Sequence, residues 1–175
     1  MSGVEVSVAR SDEKGAIENL IQLYHHDFSE QWCGTSRGEL ENDGRFPEYP
    51  LEVYWREPAH LPLLLRMNQR LVGFALLNAS SPSGRGVEHN MAEFFIARKH
   101  RRCGVGTTAA QGIFSCYSGQ WETAVARQNV GALEFWRKAI TRHSLARDVE
   151  EFDVTTDSWN GPVIRFRIKK ADSAP

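Results

Sequence analysis

The hydrophobic pattern begins with alternation: Val4, Val6 and Val8 fall on one side of an extended segment and Glu5 and Ser7 on the other. That predicts a strand over 4–9. Ala16, Ile17, Leu20, Ile21 and Tyr24 then recur at helical spacing behind Asp12, whose carboxylate suits an N-cap, so a helix is expected from there to about His26. Residues 29–60 break the pattern. Glycines and prolines alternate there with Trp32, Tyr54 and Trp55, which predicts an irregular segment with a short helix and a late extended piece. Two apolar runs, 61–67 and 71–77, flank Asn68-Gln69-Arg70 and read as a hairpin. A turn over 80–86 leads to a strand over 87–97, a helix over 105–117, a strand over 121–126 and a helix from Val130 to about Ile140. Two final strands, 152–154 and 163–169, surround a turn at 157–162, and 171–175 reads as a frayed tail. This order fits an α/β (α+β) domain with a mixed, mostly antiparallel central sheet flanked by helices.

A chain of 175 residues with this order is read as one domain over 1–170. Hydrophobic residues make up 41% and no apolar run is long enough to span a bilayer, so no membrane association is expected. Residues 1–10 lack a basic start followed by an apolar stretch, which favours a cytoplasmic location. Cys33, Cys103 and Cys116 have neither metal-ligand spacing nor an even count; they read as free thiols, with no metal expected.

Charge is uneven along the chain. Residues 1–60 hold 12 Asp and Glu against 5 Lys and Arg, whereas 61–175 hold 10 against 16, so balances of −7 and +6 compose the net −1. Either the acidic part favours a cationic partner or it solvates surface helices and loops.

The chemistry concentrates between Glu93 and Gly106. There an apolar strand runs through Arg98, Lys99, Arg101 and Arg102 into a helix start punctuated by Gly104 and Gly106. The first amides of a helix lack intrahelical acceptors and sit at the positive end of its dipole, so such a turn can hold a pyrophosphate. Glycine lets the backbone approach the anion. A nucleic-acid site accounts less well for so short a basic cluster in a chain of slightly negative charge.

Arg101-Arg102-Cys103-Gly104-Val105-Gly106 resembles the acyl-CoA signature of the GNAT superfamily of N-acetyltransferases: Arg or Gln, two residues, Gly, one residue, Gly or Ala. A second stretch, Asn129-Val130-Gly131-Ala132-Leu133-Glu134-Phe135-Trp136-Arg137-Lys138, resembles the family's later signature in the expected order. The resemblance implies a GNAT-like sheet and acetyl-CoA as co-substrate. It implies further that a backbone amide around Phe95 and Ile96 polarises the thioester. The amides of Arg101, Arg102, Cys103, Gly104, Val105, Gly106 and Thr107 would hold the pyrophosphate, Asn129 would reach the pantetheine, and Phe135 and Lys138 would lie near the CoA arm. Asn129 also suits a helix N-cap. Glu93 is the implied base for an acceptor amine, against the plainer reading of a solvated strand carboxylate.

One departure stands out. Many relatives place Tyr second in the later aromatic pair, where its hydroxyl can protonate the leaving thiolate, but this chain has Trp136, and an indole N–H has no useful acidity near neutral pH. Tyr24, Tyr54 and Tyr117 are the alternative acids, each also readable as packing, and His25 and His26 read as a base or acceptor-pocket lining on one side and, more simply, as capping or surface groups on the other. The resemblance therefore implies an acetyl-CoA-dependent N-acetyltransferase that moves acetyl directly to a primary amine of a small molecule or protein. The competing reading is a non-catalytic acyl-CoA-binding or regulatory module. A cationic amine acceptor fits the charge pattern, no nucleic acid partner is expected, and a homodimer stays open.

Overall fold

The computed structural model describes residues 3–32, 36–157 and 159–171. Cys33 and all but the first residue of the expected tail lie outside them.

Among these residues, seven strands form one sheet: β1 (Glu5–Val8), β2 (Leu61–Met67), β3 (Arg70–Asn78), β4 (His89–Ile96), β5 (Gly119–Ala124), β6 (Ala146–Thr155) and β7 (Asn160–Ile168). Their spatial order is β1-β2-β3-β4-β5-β7-β6, and every neighbouring pair is antiparallel except β4 with β5. Among the described residues, three α-helices cover the sheet: α1 (Lys14–Ser29), α2 (Val105–Cys116) and α3 (Val130–Thr141). The expected architecture is the one observed.

The β2–β3 hairpin turns through Asn68 and Gln69, both at positive φ (50° and 63°). Two consecutive left-handed residues suit the right-handed twist of a tight hairpin. Alternation along β3 then sorts its side chains: Phe74 and Leu76 pack under α1 with Ile17 and Ile21, while Ala75 and Leu77 pack under α2 and α3 with Ile113, Phe114 and Trp136. Two cores result, one on each face of a single sheet.

Four local expectations change. Helix α1 is not capped by Asp12, which pairs with Arg10; a 3-10 turn over Ser11–Glu13 precedes it, and the Glu13 carboxylate accepts the Arg10 amide at 3.0 Å. The late extended piece before β2 is instead a 3-10 turn over Glu52–Trp55 that buries Leu51 and Tyr54 against α1. His25 is buried among the rings of Trp32, Phe46 and Tyr49, and only His26 is a surface group. Strand β6 extends well before Phe152: it is an edge strand carrying Arg147, Asp148, Glu150, Glu151 and Asp153, so it lacked an apolar signal. Charged residues on an edge also deter pairing with another chain.

Candidate active site

Two irregularities in β4 create the site. The strand pairs with β5 only at His89↔Trp121 and Asn90↔Glu122, after which the two diverge and leave one edge of β4 open. Its pairing with β3 shifts between Leu76↔Glu93 and Leu77↔Met91, so Ala92 is an extra, bulged residue. The last rung before the split is anchored from below. Glu122 is fully buried and accepts from Ser81 Oγ (2.9 Å), Ser83 Oγ (2.5 Å), the Ser83 amide (3.1 Å) and Arg165 Nη1 (2.6 Å). Burial alone would raise its pKa, but these donors together hold the carboxyl below its ordinary range.

The Ala97 amide donates to Val72 on β3, and Ile96 O accepts from Arg101 Nε at 2.6 Å on the other side. Strand alternation therefore directs the amides of Phe94 and Ile96 into the opening and that of Phe95 toward β3. Of the pair named from the sequence, Ile96 presents its amide to the gap, whereas Phe95 packs its side chain under α1.

A cleft of about 660 Å³ lies along this opening and reaches the start of α2. Gly104, at φ +85°, is the residue before the helix, and Arg102 is also left-handed at +62°. This reversal points successive amides outward. Among the described residues, no acceptor pairs with the amides of residues 102–107, and Arg102, Gly104, Gly106 and Thr107 line the cleft. A Cβ on Gly106 would meet the Phe135 ring at 3.3 Å, so this glycine lets α2 approach α3 closely.

Not every residue of the motif faces the cleft through the same group. Arg101 donates its amide to Arg98 O at 3.1 Å, and its guanidinium pairs with Asp27 of α1 and lies 5.2 Å above the Phe95 ring. Arg98 joins the same carboxylate at 3.0 Å. Burial would raise the Asp27 pKa, but its two guanidinium partners outweigh that and hold it below the ordinary carboxylate value. Val105 turns into the core, the exposed Cys103 donates from Sγ to His100 O at 3.0 Å, and Lys138 lies exposed outside the cleft. Asn129 does line the cleft, and its Oδ1 caps α3 by accepting the Ala132 amide at 3.1 Å.

A second cavity, of about 340 Å³, continues from the cleft on the far side of the opening. The two share Tyr24, Phe28, Phe94, Asn129, Ala132 and Phe135. Glu93 lines the second cavity and accepts from Tyr24 Oη at 2.5 Å. Tyr49 lines the same cavity; burial chiefly, and then the Glu93 carboxylate, push its phenol far above the ordinary value. Burial likewise raises Tyr54 to about 12. Both phenols stay protonated at neutral pH and act as donors. Of the three tyrosines considered as acids, Tyr24 lines both cavities, while Tyr54 is buried in the α1 core and Tyr117 packs beside His89. Trp136 is buried with its ring edge-on to Phe94 at 5.1 Å.

Sequence reasoning missed Asp27, Asn90, Gly73 and Glu122. Gly73 had a signal, a lone glycine inside an apolar run. A Cβ there would fall 2.0 Å from Phe95 O, so only glycine lets β3 lie against β4 at that rung. Glu122, a carboxylate within a strand pattern, was a weaker signal. Asp27 and Asn90 had none, because their partners are remote in sequence.

The acidic residues of the first sixty also distribute differently from expectation. Glu18, Glu41, Asp43 and Glu48 line a separate groove of about 560 Å³ together with Arg45, and Glu93 is the sole carboxylate among the described residues lining the second cavity.

The sheet is parted between two parallel strands, and the helix start with its outward amides stands at the mouth of the gap. The chain belongs to the acetyltransferase (GNAT) family, whose family model matches residues 17–140, and is thereby an enzyme of acetyl transfer. It resembles an acetyltransferase from Thermus thermophilus at 14% identity and a TM-score of 0.62, over 97% of this chain and 100% of that one. An aminoglycoside acetyltransferase solved with coenzyme A and kanamycin aligns at 12% identity and a TM-score of 0.63, over 95% of both chains. A spermidine N-acetyltransferase chimera from Vibrio cholerae aligns at 13% and 0.56, also over 95% of both. At these identities the likeness is one of fold. No curated protein matches the chain. Among the described residues, no group of His, Cys, Asp and Glu could hold a metal ion, and no helix is long and apolar enough to cross a membrane.

Proposed function

We propose that the protein transfers the acetyl group of acetyl-CoA directly to a primary amine. The carrying observation is the meeting of two cavities at the open edge of β4, with the Ile96 amide toward one and Glu93 toward the other. The pyrophosphate sits against the amides of residues 102–107, where backbone donors and the helix dipole stabilise an anion. Pantetheine passes Asn129 and Phe135. The thioester carbonyl lies against the Ile96 amide, which stabilises the charge that develops on its oxygen.

The amine enters from the second cavity. Glu93 takes its proton, the nitrogen forms the new C–N bond, and the C–S bond breaks to release the CoA thiolate. Trp136 supplies shape and no proton. Tyr24, which borders both cavities and already donates to Glu93, is the side chain placed to protonate the thiolate and to recover a proton from the Glu93 carboxyl. Net consumption is one amine and one acetyl-CoA; the products are the amide and CoA thiol, with a proton released when the amine starts as its ammonium form.

Thiol release from acetyl-CoA in the presence of a panel of primary amines tests this reading. Amine-dependent release is the expected result. Tight binding of acetyl-CoA with no release for any amine would instead establish a binding or regulatory module.

A further inference from the structure

The second cavity carries more than a base. Asn90 is only 6% exposed; its Nδ2 donates to Asn78 Oδ1 at 3.0 Å, while its own Oδ1 is buried and unpartnered in the cavity wall. A buried carbonyl without a donor is destabilising, and a ligand N–H would satisfy it. The Ala92 bulge explains why this oxygen belongs with Glu93. Residues three apart in a regular strand face opposite sides of a sheet, but one extra residue restores the phase. Asn90, bonded to Asn78, and Glu93, bonded to Tyr24 of α1, therefore both lie on the α1 face, whereas Met91 and Phe94 pack on the other.

Around these two acceptors the wall is aromatic. Tyr24, Phe28, Trp32, Tyr49 and Trp159 contribute rings to the cavity, with Tyr24 and Phe28 centred 4.6 Å apart and Phe28 and Trp32 5.6 Å apart. Such a surface favours an apolar or aromatic body and an ammonium near a ring face. It disfavours a second ammonium, which would lose water with no further carboxylate among the described lining residues to receive it, and a hydroxyl-rich ligand, most of whose hydroxyls would face rings, since Asn90 Oδ1 and Trp159 Nε1 are the unpartnered polar side-chain atoms of the described wall apart from His25.

We infer that the acceptor is a singly charged primary amine bearing an aromatic ring, seated with its nitrogen between Glu93 and Asn90 Oδ1 and its ring against the aromatic wall. This rests on the acetyltransferase reading above. The acidic groove at Glu41 and Asp43 lies outside the seat and plays no part in it.

The test measures binding and turnover separately. Calorimetry on the CoA-loaded protein compares phenethylamine and tryptamine with spermidine and kanamycin, and thiol release from acetyl-CoA is followed for the same four amines. The aromatic monoamines should bind at least tenfold more tightly and show at least tenfold higher kcat/KM. Asn90→Ala should weaken the apparent affinity for phenethylamine, read as its KM, about tenfold and leave the KM for acetyl-CoA unchanged. Preferential binding of the aromatic monoamines without thiol release would uphold this seat and remove the acetyltransferase reading. Spermidine or kanamycin binding as well as or better than the monoamines, or no binding by any of the four, would overturn the inference.

Discussion

The two ends of the open edge are built from different materials. At the end proposed to hold the nucleotide, residues 102–107 offer backbone amides, arranged by the positive φ of Arg102 and Gly104 within one short turn. At the end proposed to seat the acceptor, the wall is made of side chains: Tyr24 from α1, Tyr49 from a loop, and Asn90 and Glu93 from β4, brought together by the sheet and by one bulge. A backbone site needs consecutive residues and so leaves a local motif. A side-chain site needs only that distant segments meet, so its parts can be exchanged between segments while the fold persists.

If the two ends are separable, a change at one should spare the other. Glu93→Gln should have the largest effect, lowering kcat/KM by about 10²- to 10⁴-fold near neutral pH. The loss should be greatest at low pH, where the amine is protonated, and smaller at high pH, where free amine is abundant. Acetyl-CoA affinity should stay level, and a parallel loss of affinity would show that the ends are not separate. Gly104→Glu is the converse change. It sets bulk and negative charge against the phosphate turn in a left-handed conformation, so acetyl-CoA affinity should fall on the order of 100-fold by calorimetry, with amine binding to the free protein intact. A Cβ at Gly104 meets nothing within 4 Å, so the variant should fold.

Asp27→Asn probes the tie between the ends, since Asp27 holds Arg98 and Arg101 from the helix that carries Tyr24. The Asp27 pKa is lowered on folding, so its contribution is complete above the unfolded-state value of about 4 and is lost as pH falls through the lower folded value. Thermal melts should show the variant less stable by about 1–2 kcal/mol at pH 7. The difference from the parent should vanish on acidification below that range. The smallest effect is expected from Trp136→Phe: kcat/KM within about threefold and no new alkaline limb, because no titrating group is lost.

The same contrast explains what could be read in advance. The order of strands and helices was legible because most elements bury one face and show it as period 2 or 3.6; β6 escaped because an edge strand carries charges where a core strand carries valines. The left-handed turn into α2 was legible from its glycines. Glu93 was named through resemblance, but its partner Tyr24 and its neighbour Tyr49, 69 and 44 positions earlier, follow only once α1 and the 29–60 segment are docked. Nor could spacing reveal that Arg101 points at Asp27, since an arginine in a glycine-rich turn has the same local sequence whether it faces a ligand or a neighbouring helix.

Gly73 and Gly104 also differ in what a saturation library would return. At Gly73 every other residue must place a carbon 2.0 Å from a carbonyl oxygen of the adjoining strand, a backbone atom that cannot rotate away. The twenty-letter alphabet shrinks there to one letter, and selection for folded protein alone would recover glycine. At Gly104 the space is open and the cost is mainly the dihedral, so the same selection would pass many letters, and only a second round for nucleotide capture would remove them. Two glycines that look alike in the sequence are thus enforced by separate filters, one acting on the fold and the other on the ligand.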